Sequence, residues 1–252
     1  MIVRETTQPV MPIPLKAAWL SIAAVVTYQV LLIVLIFLRP DLDPSWHTLS
    51  EWAIGPYGWM MSMAFLVSAT SYAALFIMLK SQIHDAMGHI GLGILLICTI
   101  GTVGVGTFVT DPMPLRYPLS TTGTIHLVSG TSQLMFLPAA AFLINLSLAR
   151  KNQAWMPARR VLLWTGSLPL VALAGFLVHL SIFVIPLGPS AHGPGVPVGW
   201  PARFLFLTYM VWLIALARQA NRSAETDAGS ARQVHIRSAP ARRTMVKPEI
   251  IS

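Results

Sequence analysis

The chain has few charged residues and almost no cysteine. Only 10% of its 252 residues are charged, whereas 55% are hydrophobic; a soluble domain carries about a quarter charged residues. The single cysteine, Cys98, excludes an internal disulfide and a cysteine-based zinc cluster. No phosphate-binding loop, Gly-x-Ser-x-Gly motif or His-Glu-x-x-His motif occurs, so the sequence contains none of these catalytic signatures.

Six long apolar runs dominate what the sequence does contain. They cover residues 17–38, 57–79, 88–109, 123–149, 161–187 and 201–217. A helix rises about 1.5 Å per residue, so about 20 residues cross a hydrocarbon core of about 30 Å. The sequence therefore predicts an all-α integral membrane bundle of six transmembrane helices instead of a soluble protein.

The basic residues are distributed unevenly between the two ends of these predicted spans. Of the 17 Lys and Arg residues, only Arg39, Arg116 and Arg203 fall on one side. The positive-inside rule then places both termini in the cytoplasm and these three arginines on the outer side. The net charge of +8 is spread over short loops and a tail instead of one folded face, so no nucleic-acid partner is expected.

Composition divides the chain into three parts. Residues 1–16 are predicted to be a cytoplasmic N-terminal lead, residues 17–219 a six-span membrane domain, and residues 220–252 a disordered basic cytoplasmic tail. The first run lacks a small-residue cleavage site after a short apolar core, which indicates an uncleaved signal anchor. The expected partners are the lipid bilayer and a lipid or small-molecule ligand; the sequence specifies no oligomeric state.

The first outer loop has the densest polar chemistry. Its polar side chains are Asp41, Asp43, His47, Ser50 and Glu51. His47 and Glu51 are four residues apart, so a short amphipathic helix over residues 44–54 would pair them. Four aromatic residues in the same loop, Trp52 among them, suit the membrane–water interface, where amphipathic rings settle.

A second group of polar residues lies at the start of the fourth span. His126, Ser129 and Gln133 recur at helical spacing, so they share one face of the helix. Polar groups at this depth face the bundle interior or a wet cavity, because lipid cannot satisfy them. Asp111, at the outer end of the third span, is expected to pair with Arg116.

Two more polar residues reach the same outer rim. His179 lies about two turns from the outer end of the fifth span, and Arg203 opens the sixth. The sequence therefore predicts one outer pocket shared by a set of candidate site residues. Its predicted catalytic residues are His126 and Asp111, and its predicted ligand-binding residues are Arg203, Ser50, Asp41, Glu51, His47, Gln133 and His179.

Several motifs resemble a known family. They are Leu38-Arg-Pro-Asp-Leu-Asp-Pro, Ser50-Glu, Gly55-Pro-Tyr-Gly-Trp-Met60, Thr110-Asp111-Pro with Gly123-x-x-His126, and Gly199-Trp-x-x-Arg203. Over roughly residues 18–218 the chain is similar to the domain of unknown function 998 family. The resemblance implies a prokaryotic multi-pass protein of the plasma membrane with no assigned activity. Its characteristic polar positions would be Asp41, Ser50, Asp111, His126 and Arg203; His179 is not part of the pattern.

Three classes of function fit these residues, two without a required cofactor and a third with haem. The first is a non-catalytic membrane protein that handles a lipid or small solute, or serves as a helper subunit. The second is an outer-face hydrolase of a lipid or headgroup ester, in which Asp111 orients His126 and His126 activates water or a hydroxyl such as Ser50 or Ser129. Proton-coupled transport is disfavoured, because no acidic residue lies at mid-membrane depth.

The cofactor content is left open by the sequence. A metal-dependent hydrolase would use His126 with Asp111 and either His47 or His179, and would keep one position open for water. A third class, a haem redox protein, would use His126 and His179 as axial ligands. These alternatives make different geometric demands, and the distances among the polar side chains distinguish them.

Overall fold

The computed structural model describes residues 13–238, and all its regular elements in that range are helical. The long helices are α1 (Leu15–Leu38), α2 (Gly58–Leu79), α3 (Ala86–Thr107), α4 (Thr121–Lys151), α5 (Arg159–His179) and α6 (Gly199–Ser238). Short 3-10 and π segments cover Leu49–Ala53, Gln153–Ala158, Leu180–Val184 and Ile185–Ser190. Six helical stretches of the described chain are long and apolar enough to cross a membrane, which confirms the predicted all-α architecture.

The long helices form a closed ring. Each packs against its neighbours along the chain, and α6 also packs against α1. Because successive helices run in opposite directions, the first loop (residues 39–57), the second loop (residues 108–120) and the third loop (residues 185–198) gather at one end of the bundle. We call this the site end, since it contains most of the predicted site residues.

Buried hydrogen bonds connect helices within the apolar bundle. Ser21 of α1 and Ser71 of α2 are both fully buried, and their hydroxyls lie 3.0 Å apart. Asn145 of α4 accepts from the Trp212 indole of α6 at 3.0 Å and donates to the Leu162 carbonyl of α5 at 2.8 Å. Polar side chains in apolar surroundings need such partners, so these bonds fix how the helices face one another.

Glycine allows α3 to approach α4 closely. A Cβ atom on Gly104 would come within 2.4 Å of the Ser129 hydroxyl, and one on Gly101 within 3.0 Å of the Ser129 carbonyl oxygen. Small residues permit this contact between helix backbones in membrane bundles. Gly101 and Gly104 therefore serve helix packing.

The last helix extends beyond the predicted end of the membrane domain. The sequence places a disordered tail from residue 220, whereas the backbone of α6 stays helical to Ser238. The alanine, arginine, glutamine and glutamate of residues 220–238 are good helix formers although they are too polar to extend a span, and the disorder of the tail stays a prediction. The rest of the predicted tail, residues 239–252, and the first 12 residues of the predicted lead lie outside the described residues.

Candidate functional site

The buried side chain of Arg39 stabilises the first loop through hydrogen bonds. Arg39 is only 6% exposed, and it donates to both carboxylate oxygens of Asp41 at 2.7–3.1 Å. Its Nη1 also donates to the carbonyl oxygens of Ile54 at 2.7 Å and Pro56 at 3.0 Å. The hydrogen bonds from Arg39 hold the pKa of the Asp41 carboxyl below its ordinary value. Asp41, a predicted ligand-binding residue, thus contacts the arginine that closes the loop.

The middle of the first loop docks on the start of α6. Arg203 Nη1 donates to the carbonyl oxygens of Pro44 at 3.0 Å and His47 at 2.9 Å. The amide of Gly199 donates to the carbonyl oxygen of Ser45 at 2.9 Å. The first turn of α6 is therefore held against the loop backbone by a side chain and by an amide together.

Glu51 connects the first loop to the third. Its Oε1 accepts from the amide and hydroxyl of Thr48 at 2.6 and 3.0 Å, which caps the 3-10 helix Leu49–Ala53. Its Oε2 lies 3.1 Å from Nε2 of His192. No motif connects His192 with Glu51, because 141 positions separate them.

His47 belongs to the same surface but does not pair with Glu51. Its ring stacks on Trp46 with centroids 3.5 Å apart, and its Nδ1 lies 3.0 Å from the carbonyl oxygen of Asp43. The predicted pairing of His47 and Glu51 on a helix over residues 44–54 is wrong. The 3-10 turn starts only after His47, so the two side chains do not share a helix face.

His126 and Ser50 form a second polar cluster, between α4 and the first loop. Nδ1 of His126 lies 2.7 Å from the carbonyl oxygen of Phe108, which can only accept, so this nitrogen carries a proton. In the neutral imidazole, Nε2 is then an acceptor, and the Ser50 hydroxyl lies 3.0 Å from it. The surroundings therefore fix one tautomer of the ring and direct the Ser50 O–H at it.

Asp111 caps α4 instead of binding His126 or Arg116. Its Oδ1 accepts from the Ser120 hydroxyl at 2.5 Å, and its Oδ2 accepts from the Ser120 amide at 2.8 Å. Ser120 is the N-cap of α4, and its oxygen accepts from the amide of Gly123 at 2.9 Å. The expected pairing of Asp111 with Arg116 is wrong, because the open helix terminus supplies nearer donors. The Ser120 hydrogen bonds hold the pKa of Asp111 below its ordinary value.

This cap predicts an acid-sensitive start of α4. The lowered folded pKa of Asp111 means that its contribution to stability is present above the unfolded pKa of about 3.9 and is lost as the pH falls through the folded value. We expect the thermal midpoint of the protein in detergent, followed by circular dichroism, to fall more between about pH 5 and pH 2 than that of Asp111→Asn. Equal slopes for the two proteins would contradict this assignment.

The remaining predicted residues lie on either side of this cluster. Gln133 is buried on α4 and donates to the Tyr72 hydroxyl at 2.9 Å. His179 ends α5, where its Nε2 lies 2.5 Å from the carbonyl oxygen of Pro197. Gln133 therefore supports α4 from α2, whereas His179 holds the third loop.

The larger of two cavities at the site end lies between α1 and α6. The α1–α6 cavity has a volume of about 410 Å³, and its walls include Leu32, Ile36 and Leu207. Trp52 and Arg203 also line it, with the guanidinium 4.4 Å from the centroid of the indole ring. Trp52 is fully buried, so its ring packs inside the protein instead of on its surface.

Two donors that have no acceptor belong to residues that line the α1–α6 cavity. Among the described residues, Arg203 Nη2 and Trp52 Nε1 are buried nitrogen atoms without a hydrogen-bond partner. Both groups can only donate hydrogen bonds, so only an acceptor could satisfy them. Buried polar groups without partners are rare in folded proteins and call for a functional or structural explanation.

A smaller cavity lies beside His126. The α4 cavity has a volume of about 240 Å³, and Ser50, His126 and Gln133 line it together with Phe65 and Phe176. Leu49 and Phe206 line both cavities. The sequence predicts one shared pocket, whereas the structure distributes its residues over two cavities with a common wall.

The side chains predicted to bind a metal ion or haem have other hydrogen-bond partners. Among the side chains that the structure describes, no group of three His, Cys, Asp or Glu is arranged to hold a metal ion. The ring nitrogens of His126 are engaged by Phe108 and Ser50, and the carboxylate of Asp111 is engaged by Ser120. The predicted metal and haem arrangements therefore do not fit the side chains of this site.

One family match covers most of the helices and all of the loops described above. A family model described as "Protein of unknown function (DUF998)" matches residues 21–219. The chain belongs to the DUF998 family. The resemblance found in its motifs is thereby confirmed. Neither the comparison with curated proteins nor that with solved structures gives a match to this DUF998 chain.

The polar positions that the resemblance implies have different surroundings in this DUF998 protein. Asp41 accepts a hydrogen bond from Arg39, and Asp111 accepts one from the Ser120 amide. Neither aspartate lines either cavity. Arg203 holds the first loop and lines the α1–α6 cavity. Ser50 and His126 bind each other in the wall of the α4 cavity. The last three are thus the positions that line a cavity.

Sequence reasoning missed three contributors to the site of this DUF998 protein. They are Arg39, His192 and the carbonyl group of Phe108. For Arg39 a signal exists: a basic residue on the side where basic residues are scarce has a reason to be there. His192 contributes through a long-range contact with Glu51, and Phe108 contributes through its backbone carbonyl. Side-chain motifs in the sequence reveal neither kind of contact.

Proposed function

We propose that this DUF998 protein is an integral membrane protein that binds an anionic lipid in the α1–α6 cavity. The site end faces away from the cytoplasm, and the lipid headgroup accepts hydrogen bonds from Arg203 Nη2 and Trp52 Nε1. The observation that carries the proposal is a pair of buried donors without acceptors on two residues that line one apolar cavity.

The surface of the bundle supports insertion into a bilayer. Large apolar side chains are exposed around it, such as Ile100 on α3 at 65%, Trp164 on α5 at 80% and Phe204 on α6 at 62%. In water such a continuous apolar surface would be an association hazard, whereas lipid tails accept it. The distribution of Lys and Arg supports cytoplasmic termini. A reporter that is active only in the cytoplasm, fused to the C-terminus, tests this orientation.

The chemistry of the two donors favours an anion. A guanidinium group is always charged at physiological pH, and an apolar cavity strengthens its interaction with a negative group. Arg203 already donates from Nη1 to two loop carbonyls, so Nη2 remains for a ligand. A phosphate or carboxylate oxygen that accepts from Nη2 and from the Trp52 indole would satisfy both donors at once.

The walls of the cavity favour a ligand with an acyl chain. Ile33, Phe204 and Leu207 line the cavity and are also 54%, 62% and 47% exposed on the outside of the bundle. The cavity therefore borders the surface that contacts lipid tails, and a ligand can enter from the bilayer. An amphiphile places its charged end at the donors and its chain along α1 and α6.

The binding of anionic lipid is expected to depend on the Trp52 indole. The purified protein in mild detergent should retain phosphatidylglycerol over phosphatidylcholine of the same chain length, as counted by native mass spectrometry. Trp52→Phe keeps a ring under Arg203 but removes the N–H group, so phosphatidylglycerol binding should weaken about tenfold, the equivalent of one hydrogen bond to a charged group.

Trp200→Phe is the matched control. Trp200 lines the same cavity, is 55% exposed, and its indole nitrogen is not among the buried groups that lack a partner. Its variant should bind phosphatidylglycerol like the wild-type protein. Equal retention of the two lipids by the wild-type protein, or equal behaviour of the two tryptophan variants, would overturn the proposal.

A further inference from the structure

The α4 cavity contains a reactive arrangement that lipid binding does not use. The Phe108 carbonyl orients His126, and Nε2 of His126 accepts from the Ser50 hydroxyl across 3.0 Å. A serine whose proton is held by an imidazole, with the imidazole held by a third group, has the geometry of an activated nucleophile. Here a backbone carbonyl takes the position that the sequence prediction gave to Asp111.

We propose that Ser50 is a nucleophile, activated by His126, which hydrolyses acyl esters bound in the α4 cavity. This activity goes beyond the proposed lipid binding and stands on different residues, in a different cavity. Ser50 and His126 are the residues that contact the reacting ester, and the Phe108 carbonyl positions the imidazole ring.

The surroundings of the pair favour an apolar acyl ester. Phe65, Val105 and Phe176 are among the apolar residues that line this cavity with Ser50 and His126. An acyl chain can occupy such a space, whereas a charged substrate would lose its hydration without gaining a partner. The volume of about 240 Å³ suits a short chain or one end of a longer chain.

The reaction needs only the ester and water. The Ser50 oxygen forms a bond to the ester carbonyl carbon while its proton passes to Nε2 of His126. The tetrahedral intermediate then breaks its bond to the alkoxy oxygen, which takes that proton and leaves as an alcohol. Water next attacks the acyl-serine, with His126 accepting the proton of the water. The bond to Ser50 breaks, the proton returns to its oxygen, and a carboxylic acid leaves.

The geometry of Ser50 separates this role from a merely structural hydrogen bond. Ser50 is only half-buried and borders the cavity, while His126 is 4% exposed. The hydroxyl is therefore within reach of a ligand, while the imidazole behind it is shielded from bulk water. Removing a structural bond would alter stability alone, whereas removing a nucleophile abolishes covalent labelling at one site.

The test is covalent labelling of the full-length protein in detergent with an alkyl fluorophosphonate. Peptide mass spectrometry should locate the adduct on Ser50 of the wild-type protein, and p-nitrophenyl butyrate should be hydrolysed. Ser50→Ala should lose both signals. His126→Gln should label at least about 100-fold more slowly, in keeping with the usual contribution of a general base.

Ser132→Ala is the control serine variant, because Ser132 bonds only the carbonyl of Val128 in its own helix and should leave labelling unchanged. Labelling of the unique Cys98, which is buried, checks that each variant is folded. The location of the adduct on the wild-type protein needs no variant, so a failure to fold cannot conceal the result. Absence of an adduct on Ser50, or an adduct whose rate does not depend on His126, overturns the proposal. Loss of lipid selectivity with retained labelling would overturn only the proposed lipid binding.

Discussion

Gly199→Ala is expected to destabilise the protein by about 1–3 kcal/mol, because the added methyl group has no space. A Cβ atom at this position would lie 2.2 Å from the Pro44 carbonyl oxygen and 2.9 Å from that of His47. Both atoms belong to backbone that Arg203 also holds, so the first loop would have to move away from α6. The midpoint temperature at which Cys98 becomes accessible to a thiol-reactive dye should fall by roughly 2–12 °C.

Gly175→Ala separates this clash from the general effect of replacing glycine in a helix. Gly175 lies within α5, and a Cβ atom there would meet nothing within 4 Å. Alanine usually stabilises such a site by about 0.5–1 kcal/mol relative to glycine. The two variants should therefore shift the midpoint in opposite directions. A Gly199→Ala protein as stable as the wild type would mean that the first loop does not pack on α6 as described.

The same variant connects loop packing to lipid binding. Arg203 and Trp52 approach each other across the junction between α6 and the first loop. If the loop moves, Trp52 and its unpartnered donor move away from Arg203, and one ligand can no longer accept from both residues. Gly199→Ala should consequently weaken phosphatidylglycerol binding although it removes no ligand-contacting atom, whereas Gly175→Ala should not.

The helices were predictable because the signal for a span is local. The second span was predicted at residues 57–79 and the helix is Gly58–Leu79; the third was predicted at residues 88–109 and the helix is Ala86–Thr107. A run of apolar residues long enough for the hydrocarbon core depends only on its own sequence. Residues after 219 have helix propensity but no apolar run, so this local signal does not show how far α6 extends.

The site was only partly predictable because its contacts join distant segments. The polar stripe on α4 identified His126, and Ser50 was among the hydroxyls considered for it, although 76 positions separate them. The sequence could not show that a backbone carbonyl would replace Asp111 as the group that orients the ring. Nor could it show that Glu51 would bind His192 in preference to His47, because that depends on where the 3-10 turn begins.

Arg39→Met is expected to have the largest effect of a loop substitution, about 3 kcal/mol of lost stability. The buried guanidinium donates to two backbone carbonyls at the far end of the first loop, Ile54 and Pro56. Methionine has a similar length but no donor, so both acceptors lose their partner and Asp41 loses its only ion pair among the described residues. The accessibility midpoint of Cys98 should fall by roughly 6–12 °C.

Arg116→Met is the matched control, because Arg116 lies at the same end of the bundle on an exposed surface. Its loss should change stability by less than about 0.5 kcal/mol. Arg39→Lys tests the geometry separately from the charge: an ammonium group cannot serve Asp41 and the two carbonyls with the planar fork of arginine, so only partial rescue is expected. Full rescue by lysine would mean that charge alone holds the loop. Equal stability of the Arg39→Met and Arg116→Met proteins would mean that the loop is held chiefly by Arg203 and its contacts with α6.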